Sequence, residues 1–131
     1  IQKLELVGMG LEDISEVACC HALEKLSVDN NQLASFTGVE ELPELRTLSA
    51  QNNVLTSLDG LRSLPKLSII NLRLSHNKLA TLPQSLAACA RLTVLDVGSN
   101  QLKSVDQLGA LTGLERLKNL TLHGNPLCTA L

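Results

Sequence analysis

One pattern of leucine and asparagine recurs along the whole chain. In the stretch from Leu45 to Leu55 (LRTLSAQNNVL), apolar residues stand at offsets 0, 3, 5 and 10 and an asparagine stands at offset 8. The same offsets recur from residues 1, 23, 45, 69, 92 and 117, so successive copies begin 22 to 25 residues apart. Five copies carry the asparagine, and the first has Met9 in its place. A period of this length predicts a stack of about six equivalent layers rather than a globule around one centre.

The spacing of apolar residues predicts the local structure of each copy. The L-x-L alternation has period two, which is typical of a short strand that pairs in parallel with the next copy about 4.8 Å away. Between strands the apolar spacing becomes three, which favours 3₁₀ turns on the convex side of the stack. Segment 81–92 differs, because Pro83 and its wider leucine spacing are compatible with a short α-helical piece. The two runs of period three are Leu55, Leu58, Leu61, Leu64, Leu67 and Leu102, Val105, Leu108, Leu111, Leu114, Leu117.

The repeated asparagines need their own explanation, because a buried amide without partners is costly. Where the chain leaves a strand and turns, a side-chain amide can satisfy backbone groups that the turn leaves unpaired. We therefore expect a ladder of buried amides along the stack, with a structural role and no ligand. Its members are Asn31, Asn53, Asn77, Asn100 and Asn125.

With these positions the chain resembles the leucine-rich repeat family over nearly its whole length. Its 22-residue units and the ending LTLHGNPLC are similar to the short-repeat class, in which an N-P-L element announces a C-terminal cap. That class includes the leucine-rich regulator of protein phosphatase 1, the spliceosomal A-prime subunit, the acidic leucine-rich nuclear phosphoproteins and the leucine-rich light chain of axonemal dynein. The resemblance implies an α/β solenoid with a curved parallel sheet on its concave side. It also implies a scaffold or regulatory subunit.

The domain organisation expected from length is a single repeat domain over residues 1–131. A stack that ends abruptly would leave an apolar layer facing water, and no capping segment accompanies Ile1 or Leu131. We therefore expect a piece of a longer chain that lacks one or both caps. The sequence has no run of about 18 apolar residues, so it predicts no membrane insertion.

The candidate binding surface consists of the strand side chains that alternate with the leucines. They should point out of the core and form a concave face, which solenoids use to bind proteins. The face is polar and mixed in charge, and Arg73 beside Asp96 should form an exposed ion pair worth some tenths of a kcal/mol. Its candidate contact residues are Glu5, Lys25, Asp29, Ser49, Gln51, Arg73, Ser75, His76, Asp96, Thr121 and His123.

Catalysis and metal binding are not predicted for this chain. His76 and His123 should lie about 10 Å apart by strand spacing, too far to share a metal ion. There is no carboxylate or thiolate cluster between them, and no glycine-rich phosphate loop or G-x-S-x-G turn. A formal net charge of -2 and a single aromatic residue, Phe36, argue against nucleic-acid binding. We expect no cofactor and no small-molecule substrate.

The four cysteines favour a reducing compartment. Cys20 and Cys89 fall in apolar slots, where they serve as small core residues. Extracellular leucine-rich repeat proteins carry clustered cysteines in their flanks, whereas only Cys128 lies near an end here. The expected location is intracellular and cytoplasmic, with a ciliary or nuclear site left open.

Three functions remain open from the sequence. The favoured one is binding of a protein partner, as a helix or loop lying in the concave groove. The second is a spacer or self-association module whose concave face is empty. The third places catalysis in a flanking domain.

Overall fold

The computed structural model describes residues 2–58 and 69–129. Within these ranges six strands form one sheet in chain order, and each strand pairs in parallel with the next. The strands are β1 (Lys3–Glu5), β2 (Lys25–Ser27), β3 (Thr47–Ser49), β4 (Asn71–Arg73), β5 (Val94–Asp96) and β6 (Asn119–Thr121). The predicted α/β leucine-rich repeat solenoid is confirmed.

The register of the sheet is the same from layer to layer. The central leucine of each strand is aligned with that of the next, for example Leu26 with Leu48 and Leu48 with Leu72. The longer repeats therefore place their extra residues between the strands rather than within the sheet. As a consequence, the residues on either side of the leucines form straight columns across the stack.

The core lies behind the sheet and is filled by aliphatic side chains. Leu48 and its counterparts in β2, β4 and β5 are at most 1% exposed, and the single aromatic residue, Phe36, is also 1% exposed. Because every layer supplies the same apolar positions, one continuous core runs along the stack.

The convex side is built of 3₁₀ turns, as the period-three spacing predicts. Those in the described ranges are Ser15–Cys19, Val39–Glu41, Gln84–Ala88, Val105–Leu111 and Pro126–Thr129. The α-helical piece considered for segment 81–92 does not form. Its Gln84–Ala88 turn is 3₁₀, and the Cys89 N–H continues the three-residue bonding by donating to the Leu86 carbonyl at 3.1 Å. A segment this short gains little from α-helical bonding, so the tighter turn that fits the layer prevails.

The second run of period three does not place all its members in the core. Val105 is 46% exposed, whereas Ala110, which lies outside the run, is fully buried. Val105 is the first residue of its 3₁₀ turn, directly after Ser104, whose side chain accepts the Asp106 N–H. It therefore occupies the outer side of the turn. In the other run Leu55 and Leu58 are buried, and Leu61, Leu64 and Leu67 lie outside the described residues, as do Ile1 and Leu131.

In the part of the chain that the structure describes, no helix is long and apolar enough to cross a membrane.

Candidate protein-binding face

The asparagine ladder holds the strands in position. The Asn77 amide donates to the carbonyls of Ala50 and Leu74 at 2.9 and 3.1 Å, and its Oδ1 accepts the Leu55 N–H at 3.1 Å. Ala50 and Leu55 lie in the preceding layer, and Leu74 lies in the same layer as Asn77. Asn31, Asn53, Asn100 and Asn125 repeat this bonding, and all five are buried.

The ladder is continuous because successive asparagines share carbonyl acceptors. The carbonyl of Leu74 accepts from both Asn77 and Asn100, at 3.1 and 3.0 Å. That of Val97 accepts from both Asn100 and Asn125, each at 2.9 Å. Each layer is thereby tied to the next at the point where its strand ends, which gives the concave face a rigid backbone.

The residue before each ladder asparagine has a left-handed backbone. His76 and Ser99 have φ of 58° and 52°, and the His76 N–H donates to the Gly98 carbonyl at 3.0 Å. His76 is exposed, yet its main chain belongs to the turn. This conformation was not predicted from the sequence, although glycine and asparagine, the residues that tolerate it best, recur in that column.

The structure places the predicted contact residues at different depths. Those that are exposed are Glu5, Lys25, Arg73, His76, Thr121 and His123, and those that are half-buried are Asp29, Ser49, Gln51 and Asp96. Ser75 is only 8% exposed, so its assignment to the open face is wrong. Its carbonyl accepts from the Asn52 N–H and from the Asn77 amide, at 3.0 and 3.3 Å. Ser75 therefore belongs to the turn that closes the strand.

The predicted ion pair between Arg73 and Asp96 does not form. The two residues are aligned in neighbouring strands, but the ion pair found among the described residues joins Lys3 to Glu5, at 3.1 Å. Asp96 Oδ1 instead accepts the Gly98 N–H at 3.0 Å. A local bond to the backbone prevails here because an exposed ion pair contributes only about 0 to 1 kcal/mol.

Asp29 links two strands and is only partly available to a partner. Its Oδ1 accepts the Ser49 hydroxyl and the Gln51 N–H, both at 2.7 Å. These bonds connect the end of β2 to the end of β3. Asp29 and Ser49 therefore shape the face, while Lys25 and Arg73 form no ion pair with a described carboxylate.

A cavity of about 390 Å³ opens on the concave face between β1 and β4. It is lined mainly by the polar side chains of these strands, including Lys25, Ser27, Asn71 and Arg73. We call it the β1–β4 cavity. Asn71 is one of the lining residues, and its Oδ1 is buried without a hydrogen-bond partner among the described residues.

The described residues contain no group of three or more histidine, cysteine, aspartate or glutamate side chains that could hold a metal ion. His76 and His123 stay on separate layers, as expected from their positions.

The cysteines are all free, and their environments differ. Burial raises the pKa of Cys89 to about 11, whereas Cys19 is exposed. Because the thiolate is the reactive form, Cys89 carries almost no nucleophile at neutral pH. We predict that iodoacetamide at about pH 7.5 alkylates Cys19 well before Cys89, as followed by peptide mass spectrometry. Equal rates at the two sites would contradict the buried placement, and urea should make them equal.

Two family models match the sequence. A leucine rich repeat model matches residues 68–127, and a model of two leucine rich repeats matches residues 43–88. Together they cover most of the layers whose parallel register is described above. The chain belongs to the leucine-rich repeat family. The resemblance to the short-repeat regulators within that family stays a prediction.

Known relatives share parts of this leucine-rich repeat chain. Human geranylgeranyl transferase type-2 subunit alpha is 44% identical over 59 residues, which are 45% of this chain and 10% of that subunit. Leucine-rich repeat-containing protein 51 of Bos taurus is 37% identical over 54 residues, which are 41% of this chain and 28% of that protein. The chain thus spans less than a third of the length of either relative.

Solved leucine-rich repeat structures superimpose on nearly the whole chain. An internalin (InlF) of Listeria monocytogenes has a TM-score of 0.81 at 28% identity, covering 95% of this chain and 35% of that one. The leucine-rich repeat domain of the type III effector XopL has a TM-score of 0.79 at 26% identity, covering 100% of this chain and 46% of that one.

Proposed function

We propose that this single leucine-rich repeat domain binds a protein partner through its concave face, as a scaffold or regulatory part of a larger intracellular complex. One observation carries the proposal. Exposed and half-buried polar side chains form aligned columns over six parallel strands, on a backbone fixed by the asparagine ladder. A rigid surface of this kind loses little conformational entropy when a partner binds.

Two further observations support a role within an intracellular assembly. The chain resembles part of a protein named as a subunit, geranylgeranyl transferase type-2 subunit alpha, which favours a role inside an assembly. The four free thiols favour a reducing compartment. The resemblance to short-repeat regulators favours a scaffold or regulatory role over an enzymatic one.

Surface substitutions on opposite faces test the proposal. Arg73→Glu combined with Thr121→Lys changes two exposed concave side chains, and Glu41→Arg combined with Gln84→Lys changes two exposed convex ones. We expect the concave pair to lower recovery of native partners at least about tenfold in quantitative affinity purification, since Arg73→Glu reverses a charge and Thr121→Lys places a long side chain where a contact was. Both pairs should keep the melting temperature within about 2 °C. Loss of partners with only the convex pair would overturn the proposal.

Self-association is the second candidate, and exposed apolar side chains favour it. Val7, Met9 and Leu120 are 46%, 60% and 41% exposed, on the first and last layers. Size-exclusion chromatography with light scattering separates the two functions. Binding of a different protein predicts a particle of 14.0 kDa for the isolated chain, whereas self-association predicts a multiple of that mass.

A further inference from the structure

The β1–β4 cavity has an excess of positive charge. Its charged lining residues are Lys3, Glu5, Lys25 and Arg73. Lys3 and Glu5 pair with each other at 3.1 Å, whereas Lys25 and Arg73 form no ion pair with a described carboxylate. Two cations without an ion-pair partner among the described residues thus share one concavity in a chain whose formal net charge is -2.

The two free cations are spaced to reach one group between them. Lys25 begins β2 and Arg73 ends β4, so their backbones lie about 12 Å apart by strand spacing and rise. Both side chains are long enough to converge on an anion held between them. The hydroxyls of Ser27 and Thr47 also line the cavity and make no side-chain hydrogen bond to another described residue. They add two donors to the same place.

Asn71 calls for a hydrogen-bond donor on the ligand, whereas the two cations call for an anion. Its Oδ1 is buried in the free protein without a donor, which costs roughly 1 to 3 kcal/mol in desolvation. A ligand with a hydrogen-bond donor would satisfy this atom once the Asn71 side chain turns it toward the cavity, and an extended peptide supplies main-chain N–H groups. Inorganic phosphate and a nucleic-acid backbone have few or no donors to offer. The cavity therefore matches a ligand that combines an anion with amide donors.

We infer that the β1–β4 cavity binds an acidic, extended segment of the partner protein. A carboxylate side chain of that segment lies between Lys25 and Arg73, and the Asn71 side chain turns so that its Oδ1 accepts a main-chain N–H next to that carboxylate. This inference rests on the proposed protein-binding function and specifies the chemistry of the partner.

The test uses a short fluorescein-labelled peptide of alternating glutamate and alanine, with a glutamine version as its neutral match. Fluorescence anisotropy should show binding of the glutamate peptide that weakens as salt is raised, because exposed charges are screened. Lys25→Gln and Arg73→Gln should each weaken binding about threefold. Lys78→Gln, an exposed cation outside the cavity, should leave binding unchanged.

The Asn71→Ala variant tests whether Asn71 contributes to ligand binding or to the stability of the fold. It should weaken binding of the glutamate peptide but leave the free energy of unfolding equal or higher, since it removes an unpaired buried acceptor. A loss of stability would assign Asn71 a structural role and contradict the inference.

The remaining outcomes decide against the inference in distinct ways. Equal binding of the glutamate and glutamine peptides, or binding unaffected by the Lys25 and Arg73 variants, would overturn it. So would tighter binding of a single-stranded oligonucleotide through the same two residues. If the acidic peptide fails while the concave pair Arg73→Glu and Thr121→Lys still loses native partners, only the acidic-segment inference falls.

Discussion

Asn77→Ala is expected to lower the free energy of unfolding by about 3 kcal/mol. The alanine leaves the buried Leu55 N–H without its acceptor. It also removes one donor each from the carbonyls of Ala50 and Leu74, which keep a second donor from neighbouring asparagines. The loss therefore affects two layers at once. Urea denaturation followed by circular dichroism measures it.

Asn119→Ala is the matched control for Asn77→Ala. Asn119 is exposed in β6, and its side chain makes no hydrogen bond to another described residue. Its replacement should change the free energy of unfolding by no more than about 0.5 kcal/mol. If the two variants unfold at the same urea concentration, the ladder contributes nothing to stability and the explanation of the repeated asparagines fails.

Gly38→Ala is expected to destabilise the fold by about 3 kcal/mol, from two causes. Gly38 has φ of 105°, a left-handed conformation that strains a residue with a Cβ. An added Cβ would also lie 2.8 Å from the Ser15 carbonyl oxygen and 2.9 Å from its Cα. These are backbone atoms of the neighbouring layer, so no side-chain rotation can relieve the contact.

Gly109→Ala is the control for Gly38→Ala. Gly109 lies within the Val105–Leu111 turn, and its added Cβ would meet no atom within 4 Å. Because alanine reduces the freedom of the unfolded chain, this variant should be stabilised by about 0.5 kcal/mol. Thermal melts of the two variants should move in opposite directions. A Gly38→Ala variant as stable as the parent would contradict the close approach of the first two convex turns.

The sequence could predict the stack because the same solution is repeated in every layer. Leu26, Leu48 and Leu72 occupy the same inward position in three successive layers. An incorrect assignment in one layer therefore does not change the predicted register of the sheet. The asparagines could be assigned for the same reason, since a buried amide at a fixed offset has few partners except the backbone.

Details of the concave face could not be predicted, because they depend on competition between weak interactions. Asp96 bonds to the Gly98 N–H rather than pairing with Arg73, and the difference between these choices is about 1 kcal/mol or less. The depth of Ser75 likewise depends on how the strand closes into its turn. The unpartnered Asn71 Oδ1 has no signature in the sequence, because the same residue type in a strand can equally well be solvated.

Position-specific photo-cross-linking tests the central claim most directly. A benzophenone side chain is placed at Ser27, in the β1–β4 cavity, or at Gln84, on the convex side, and the native complex is irradiated. Binding through the concave face predicts cross-links to the partner from Ser27 and few from Gln84. Cross-links from Gln84 alone, in a complex that still purifies intact, would contradict it.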